Sequence, residues 1–262
     1  MDYNKEEDSL FSKWMEYLHV TEDEFVTDGL LYHYGLHFDG MSWVNSSSGN
    51  NSENWDNSDR RLLIITRDQP CDDGNIWDVR GETPYSRDGI SLKRISMFKC
   101  LLPWSYAALH FEKDDKELLA LSESSMIKFW MSAPIARMNC GKIAGNRVKD
   151  GGCPRSKVIE YLTESSQFIL EQIKMYDANI IMCCTGYDTS SNPVVDFIKE
   201  CYLPDLFKVN YYSWYSPSSK KIIIDSYHFS NRRRIKSNED IDNETFYIKN
   251  SIFDTISKGF YI

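Results

Sequence analysis

No stretch of the chain approaches the ~18 consecutive apolar residues that a membrane-spanning helix needs, so no membrane partner is expected. The N-terminus, Met1-Asp2-Tyr3-Asn4-Lys5-Glu6-Glu7-Asp8, is acidic and lacks the apolar core of a secretory signal, so secretion is not expected. The seven cysteines include no Cys-x-x-Cys pair, and Cys183 and Cys184 lie inside an apolar run, where buried thiols are the default. That pattern gives a zinc or iron–sulfur centre little support and fits a reducing compartment, cytoplasmic or nucleoid-associated. Positive charge is short as well: 30 Lys and Arg face 39 Asp and Glu, a formal net charge of −9. Broad nonspecific nucleic-acid binding is thereby disfavoured, but a local basic patch is not, because clustered charge sets the local field. No internal repeat is present.

What the chain does hold is 262 residues, enough to bury a full core in one domain of the larger kind. Residues 9–34 read as one or two helices, with Leu10, Phe11, Trp14, Met15 and Leu18 at helical spacing. Residues 45–59 form a polar, low-complexity stretch, expected to be an exposed and functionally silent loop. Four apolar runs of strand length follow, at 61–66, 135–139, 179–185 and 221–226. Three of them are continuous rather than alternating, as in strands covered on both faces. A helix is predicted over 156–176, another over 193–201 and a last one over 243–257. Residues 207–215 alternate and suit a strand pairing with 220–226 across Pro217-Ser218-Ser219.

Strands alternating with helices predict an α/β fold: three αβα layers around a central, mainly parallel four-stranded sheet. One domain is expected over 1–262, with an N-terminal helical extension and polar loop (1–59), a core (60–234) and a C-terminal helix (235–262). Ligands of such sheets bind at the carboxyl ends of the strands. Those exits read Thr66-Arg67-Asp68-Gln69-Pro70, Asn139-Cys140-Gly141-Lys142, Thr185-Gly186-Tyr187 and His228-Phe229-Ser230-Asn231, the last running on into Arg232-Arg233-Arg234. All four are polar or small, and the last suits an anionic ligand that carries a hydrogen-bonding ring.

The order of these exits resembles the uracil-DNA glycosylase superfamily over roughly residues 60–234. In that family a first strand ends in a short acid- or Asn-containing loop before Pro, an internal strand ends in Asn, and a last strand leads to His-Pro-Ser. The resemblance implies a DNA N-glycosylase that hydrolyses the glycosidic bond of a flipped uracil, or of a modified or damaged pyrimidine. Its implied partner is DNA, with no metal or cofactor and a monomeric chain. It implies that Asp68 and Gln69 place the attacking water and that His228 stabilises the departing base, as an oxyanion hole would. Asn139 would read the base edge, and Trp77 or Tyr85 would stack on it. Ser230, Asn231, Arg232 and Lys142 would contact phosphate. The chain departs from the family at Gln69, where Asp or Asn is usual and which cannot act as a general base, and at Phe229, which replaces Pro. The four-cysteine cluster of the iron–sulfur branches is absent. A non-catalytic nucleic-acid or nucleotide-binding protein on the same fold is the alternative, and an α/β hydrolase of free nucleotides a third reading.

Overall fold

The computed structural model describes residues 1–31, 36–38, 43–45, 51–69, 76, 78–81, 96–145, 153–186, 191–229 and 236–262. In chain order its elements are α1 (Tyr3–Leu18), β1 (Gly29–Leu30), β2 (Leu36–Phe38), β3 (Trp43–Asn45), α2 (Asn51–Asp56) and β4 (Leu62–Thr66). Then come α3 (Ser96–Leu109), α4 (Asp115–Leu119), α5 (Glu123–Trp130), β5 (Ile135–Asn139), α6 (Arg155–Glu164) and α7 (Ser166–Tyr176). The chain closes with β6 (Ile180–Gly186), α8 (Pro193–Cys201), β7 (Phe207–Lys208), β8 (Ser213–Ser216), β9 (Lys221–Tyr227) and α9 (Asn238–Ser257).

The α/β class holds, but the sheet is larger than four strands. It has seven, in the order β1-β5-β4-β6-β9-β8-β7. The four strands expected from the apolar runs make its parallel centre. The antiparallel β1 covers one edge, and the antiparallel β8 and β7 extend the other. A two-residue strand such as β1 is too short to carry any hydrophobic period, whereas the alternating stretch expected to pair with 220–226 is present, split into β7 and β8, with β8 the antiparallel partner of β9.

Both faces of the central strands are buried. Leu63, Ile65, Ile181, Cys183 and Ile223 pack into one core, where α1, α6, α7 and α8 supply Trp14, Val158, Ile169 and Val194. Leu62, Ile64, Ile180, Met182, Cys184, Ile222 and Ile224 pack into the other, against Leu101, Trp104, Trp130 and Ile248. Burying one such side chain contributes about 1.5–3 kcal/mol, so the paired cores dominate folding. The N-terminal helix belongs to this core rather than standing outside it: Leu10, Phe11 and Trp14 are fully buried.

Other expectations change in detail. The polar stretch 45–59 contains α2, because Trp55 has no exposed surface and donates its indole N–H to the Tyr176 carbonyl at 3.1 Å. One apolar anchor there overrides the polar composition around it. The helix over 156–176 is two helices that meet at Ser165, whose hydroxyl accepts the Trp14 indole N–H at 3.1 Å. The last helix starts earlier than expected, at a capping box between Ser237 and Asp240. Among the described residues, no helix is long and apolar enough to cross a membrane.

From β4 the chain moves to β5 on one side, then crosses back to β6 on the other. The carboxyl ends of β4 and β6 therefore flank a topological switch point, where open α/β sheets hold ligands.

Candidate functional site

At the exit of β4, successive side chains part to the two faces. Thr66 and Asn139 are register partners, and the Thr66 hydroxyl lies 2.5 Å from Asn139 Oδ1. The Asn139 backbone N–H donates to Asp28 Oδ2 at 2.7 Å. With its oxygen occupied, the Asn139 amide has only its Nδ2 donors to offer, and these have no partner. The residue has no exposed surface.

Arg67 turns across the switch point and donates from Nη2 to the Gly186 carbonyl of β6 at 3.0 Å. Arg67 also donates from Nη1 to the Cys153 carbonyl at 3.5 Å, and Asp68 faces the same amino end of α6. Its Oδ2 accepts from the Tyr161 hydroxyl at 3.5 Å, and the Cys153 thiol is a second hydrogen-bond partner. Burial raises the Asp68 carboxyl above the usual carboxylate range, partly offset by Cys153, Tyr161, Arg67 and Lys157. The carboxylate opens onto a cavity of about 380 Å³ lined by Gly145, Cys153, Pro154, Lys157 and Tyr161.

Two glycines make this arrangement possible. A Cβ on Gly145 would overlap Asp68 Oδ2, and one on Gly141 would overlap the Tyr161 ring. Gln69 is buried, with its carbonyl oxygen accepting the Gly145 N–H at 2.8 Å, so it braces the loop from inside.

His228 follows β9 directly, and its ring lies 4.2 Å from that of Phe229. The Arg137 guanidinium sits over the Phe229 ring, 5.4 Å from its centre. Burial pushes the imidazole down to about 3, and the positive charges of Arg67 and Arg137 add to the shift. His228 is thus neutral at physiological pH and able to donate one N–H. A folded-state value below the ordinary 6.5 means that the unfolded chain binds the extra proton, so stability is present above pH 6.5 and is lost as pH falls toward 3. Denaturant unfolding of His228→Gln should therefore lose about 2 kcal/mol less than the native chain between pH 7 and pH 5.

The expected residues divide accordingly. Asp68, Asn139 and His228 all stand at strand exits on one edge of the sheet. The Arg67 charge acts on both Asp68 and His228. No hydrogen bond joins Asp68 to Asn139 among the described residues. Lys142 is a correction: its side chain has no exposure and is ion-paired with Asp28 at 2.5 Å, with its ammonium 5.0 Å from the Trp14 ring centre. A side chain so enclosed does not reach phosphate. Trp77, Tyr85, Ser230, Asn231 and Arg232 lie outside the described residues. Sequence reading missed Arg67 and Arg137, although Arg67 adjoins Asp68, and it missed Asp28, Cys153 and Tyr161, which carry no local signal.

Among the described residues, no group of three His, Cys, Asp or Glu side chains is placed to hold a metal ion. No protein-family model matches the chain, and no curated protein matches it.

Proposed function

We propose that the protein is a DNA N-glycosylase acting on a flipped uracil, or on a modified or damaged pyrimidine. The observation behind this reading is one pairing: a half-buried carboxylate, Asp68, and a neutral imidazole, His228, at two strand exits on either side of the switch point. Cleavage of a glycosidic bond leaves positive charge on the sugar and negative charge on the base. Asp68 meets the first need, since a carboxylate with a raised pKa both accepts a proton from water and stabilises an oxocarbenium-like centre. His228 meets the second, because a neutral imidazole donates one N–H to the base anion without a buried positive charge having to be formed. Asn139, whose amide can only donate, selects a base edge carrying an acceptor.

A non-catalytic nucleotide-binding protein is the second reading, favoured by the burial of Gln69 and Asn139. Oligonucleotides bearing a single uracil, modified cytosine or damaged pyrimidine separate the two. Incubation followed by alkali should cut one of them at the resulting abasic site. Tight binding to all of them with no alkali-labile product would decide for the binding protein.

A further inference from the structure

Asp28 precedes β1 and has no exposed surface, yet it carries a charge deep in the core beneath α1. Both its oxygens are engaged: Oδ2 accepts the Asn139 backbone N–H at 2.7 Å, and Oδ1 accepts Lys142 Nζ at 2.5 Å and Gln172 Nε2 at 2.8 Å. The backbone explains why an acid stands there. β1 pairs with β5 at Gly29↔Arg137 and Leu30↔Ala136, and on the amino-terminal side main-chain pairing resumes where Val26 N–H donates to the Lys142 carbonyl at 2.6 Å. Between those points the Asn139 N–H faces the β1 side with no strand carbonyl opposite it. The Asp28 carboxylate fills that gap in the ladder. Buried ion pairs of this kind add little net stability over an apolar replacement, but they can impose one geometry.

We propose that Asp28 is a positioning residue: its carboxylate fixes the backbone at the end of β5 and so aims the Asn139 amide, with Lys142 as its counter-charge and Gln172 as its brace. This rests on the reading of the β5 exit as part of the ligand site.

Removing Asp28 alone would strand the Lys142 charge, so the test compares two double variants in the full chain. Asp28→Leu/Lys142→Met removes both charges and the acceptor. Asp28→Asn/Lys142→Met removes both charges but keeps an oxygen for the Asn139 N–H, while its new amide can meet Gln172 Oε1, which has no partner in the native chain. On the oligonucleotide that the native protein cleaves, the Leu/Met variant should lose on the order of 10- to 100-fold in kcat, the scale on which a small misplacement of a site group acts. KM should change little, and the Asn/Met variant should regain most of the loss. Equal kcat in two folded double variants would overturn the proposal.

An NMR measurement keeps the proposal separate from the activity. The Asn139 backbone amide proton should resonate far downfield and exchange slowly in the native chain and in the Asn/Met variant. In the Leu/Met variant it should lose both properties, and the Asn139 side-chain amide signals should move. If no oligonucleotide is cleaved even by the native chain, the glycosylase reading fails while these signals still judge Asp28. Asn139 resonances identical in both double variants would then refute the positioning role.

Discussion

Asp68→Asn should lower base excision by about 10²- to 10⁴-fold, the range that loss of a positioned general base or acid commonly costs. The substitution keeps the side chain's size, so it still fits beside Gly145 and can still accept from Tyr161. What it loses is the negative charge and the capacity to take a proton. Stability should hold or rise, because the native fold bears the cost of partly desolvating that carboxylate. DNA affinity should be unchanged or slightly higher, since one negative charge leaves the site. Single-turnover rates on a cleavable oligonucleotide, beside a melting curve, read both effects.

The pH profile gives the same residue a second signature. The carboxylate form is the active one, so kcat/KM should fall as pH drops through a value above the ordinary carboxylate range, and Asp68→Asn should abolish that limb. No limb near 6.5 should arise from His228, whose imidazole stays neutral well below that pH. An acid limb at 6–7 that vanishes in His228→Ala would mean that a charged imidazole carries the step. An Asp68→Asn enzyme with native rate would place water activation elsewhere.

The sequence makes the middle of this molecule legible and its supports obscure, for one physical reason. β4, β6 and β9 announce themselves because strands buried on both faces need continuous apolar runs, β5 does so through a shorter run broken by Arg137, and their polar exits follow within a residue or two. α8 opens at Asn192 and Pro193, a cap and first-turn pair written into two adjacent residues. The partners that give Asp68 and Asn139 their chemistry come from far away along the chain. Tyr161 meets Asp68 across 93 residues, and Asp28 meets Asn139 across 111. No periodicity encodes such pairings. The same limit misplaced Lys142, which sits one residue past Gly141 in an exit loop and looks solvent-facing until Asp28 is brought beneath it.

Lys142→Met should damage the fold severely. The native pair is fully enclosed, and burial alone already disfavours the ammonium, with Asp28 opposing that shift. Removing the cation leaves the Asp28 carboxylate with only the Asn139 N–H and the Gln172 amide. Breaking one partner out of a buried pair typically costs about 3–5 kcal/mol, a large part of the 5–15 kcal/mol that holds a domain together. In a chain of this size that corresponds to a melting point lowered by roughly 6–20 °C. Asp28→Asn/Lys142→Met should recover most of it, because no charge is then left unpaired and the Asn139 N–H keeps an acceptor. Salt dependence supplies the complementary measurement. Each phosphate contact removed flattens the slope of log K against log salt by about one, whereas Lys142→Met should leave the DNA-binding slope of the folded protein unchanged. A flattened slope with a native melting point would return Lys142 to the surface and undo the inward placement argued for it. A steep loss of melting point with an unchanged slope is what a lysine held against Asp28, beneath Trp14, must produce.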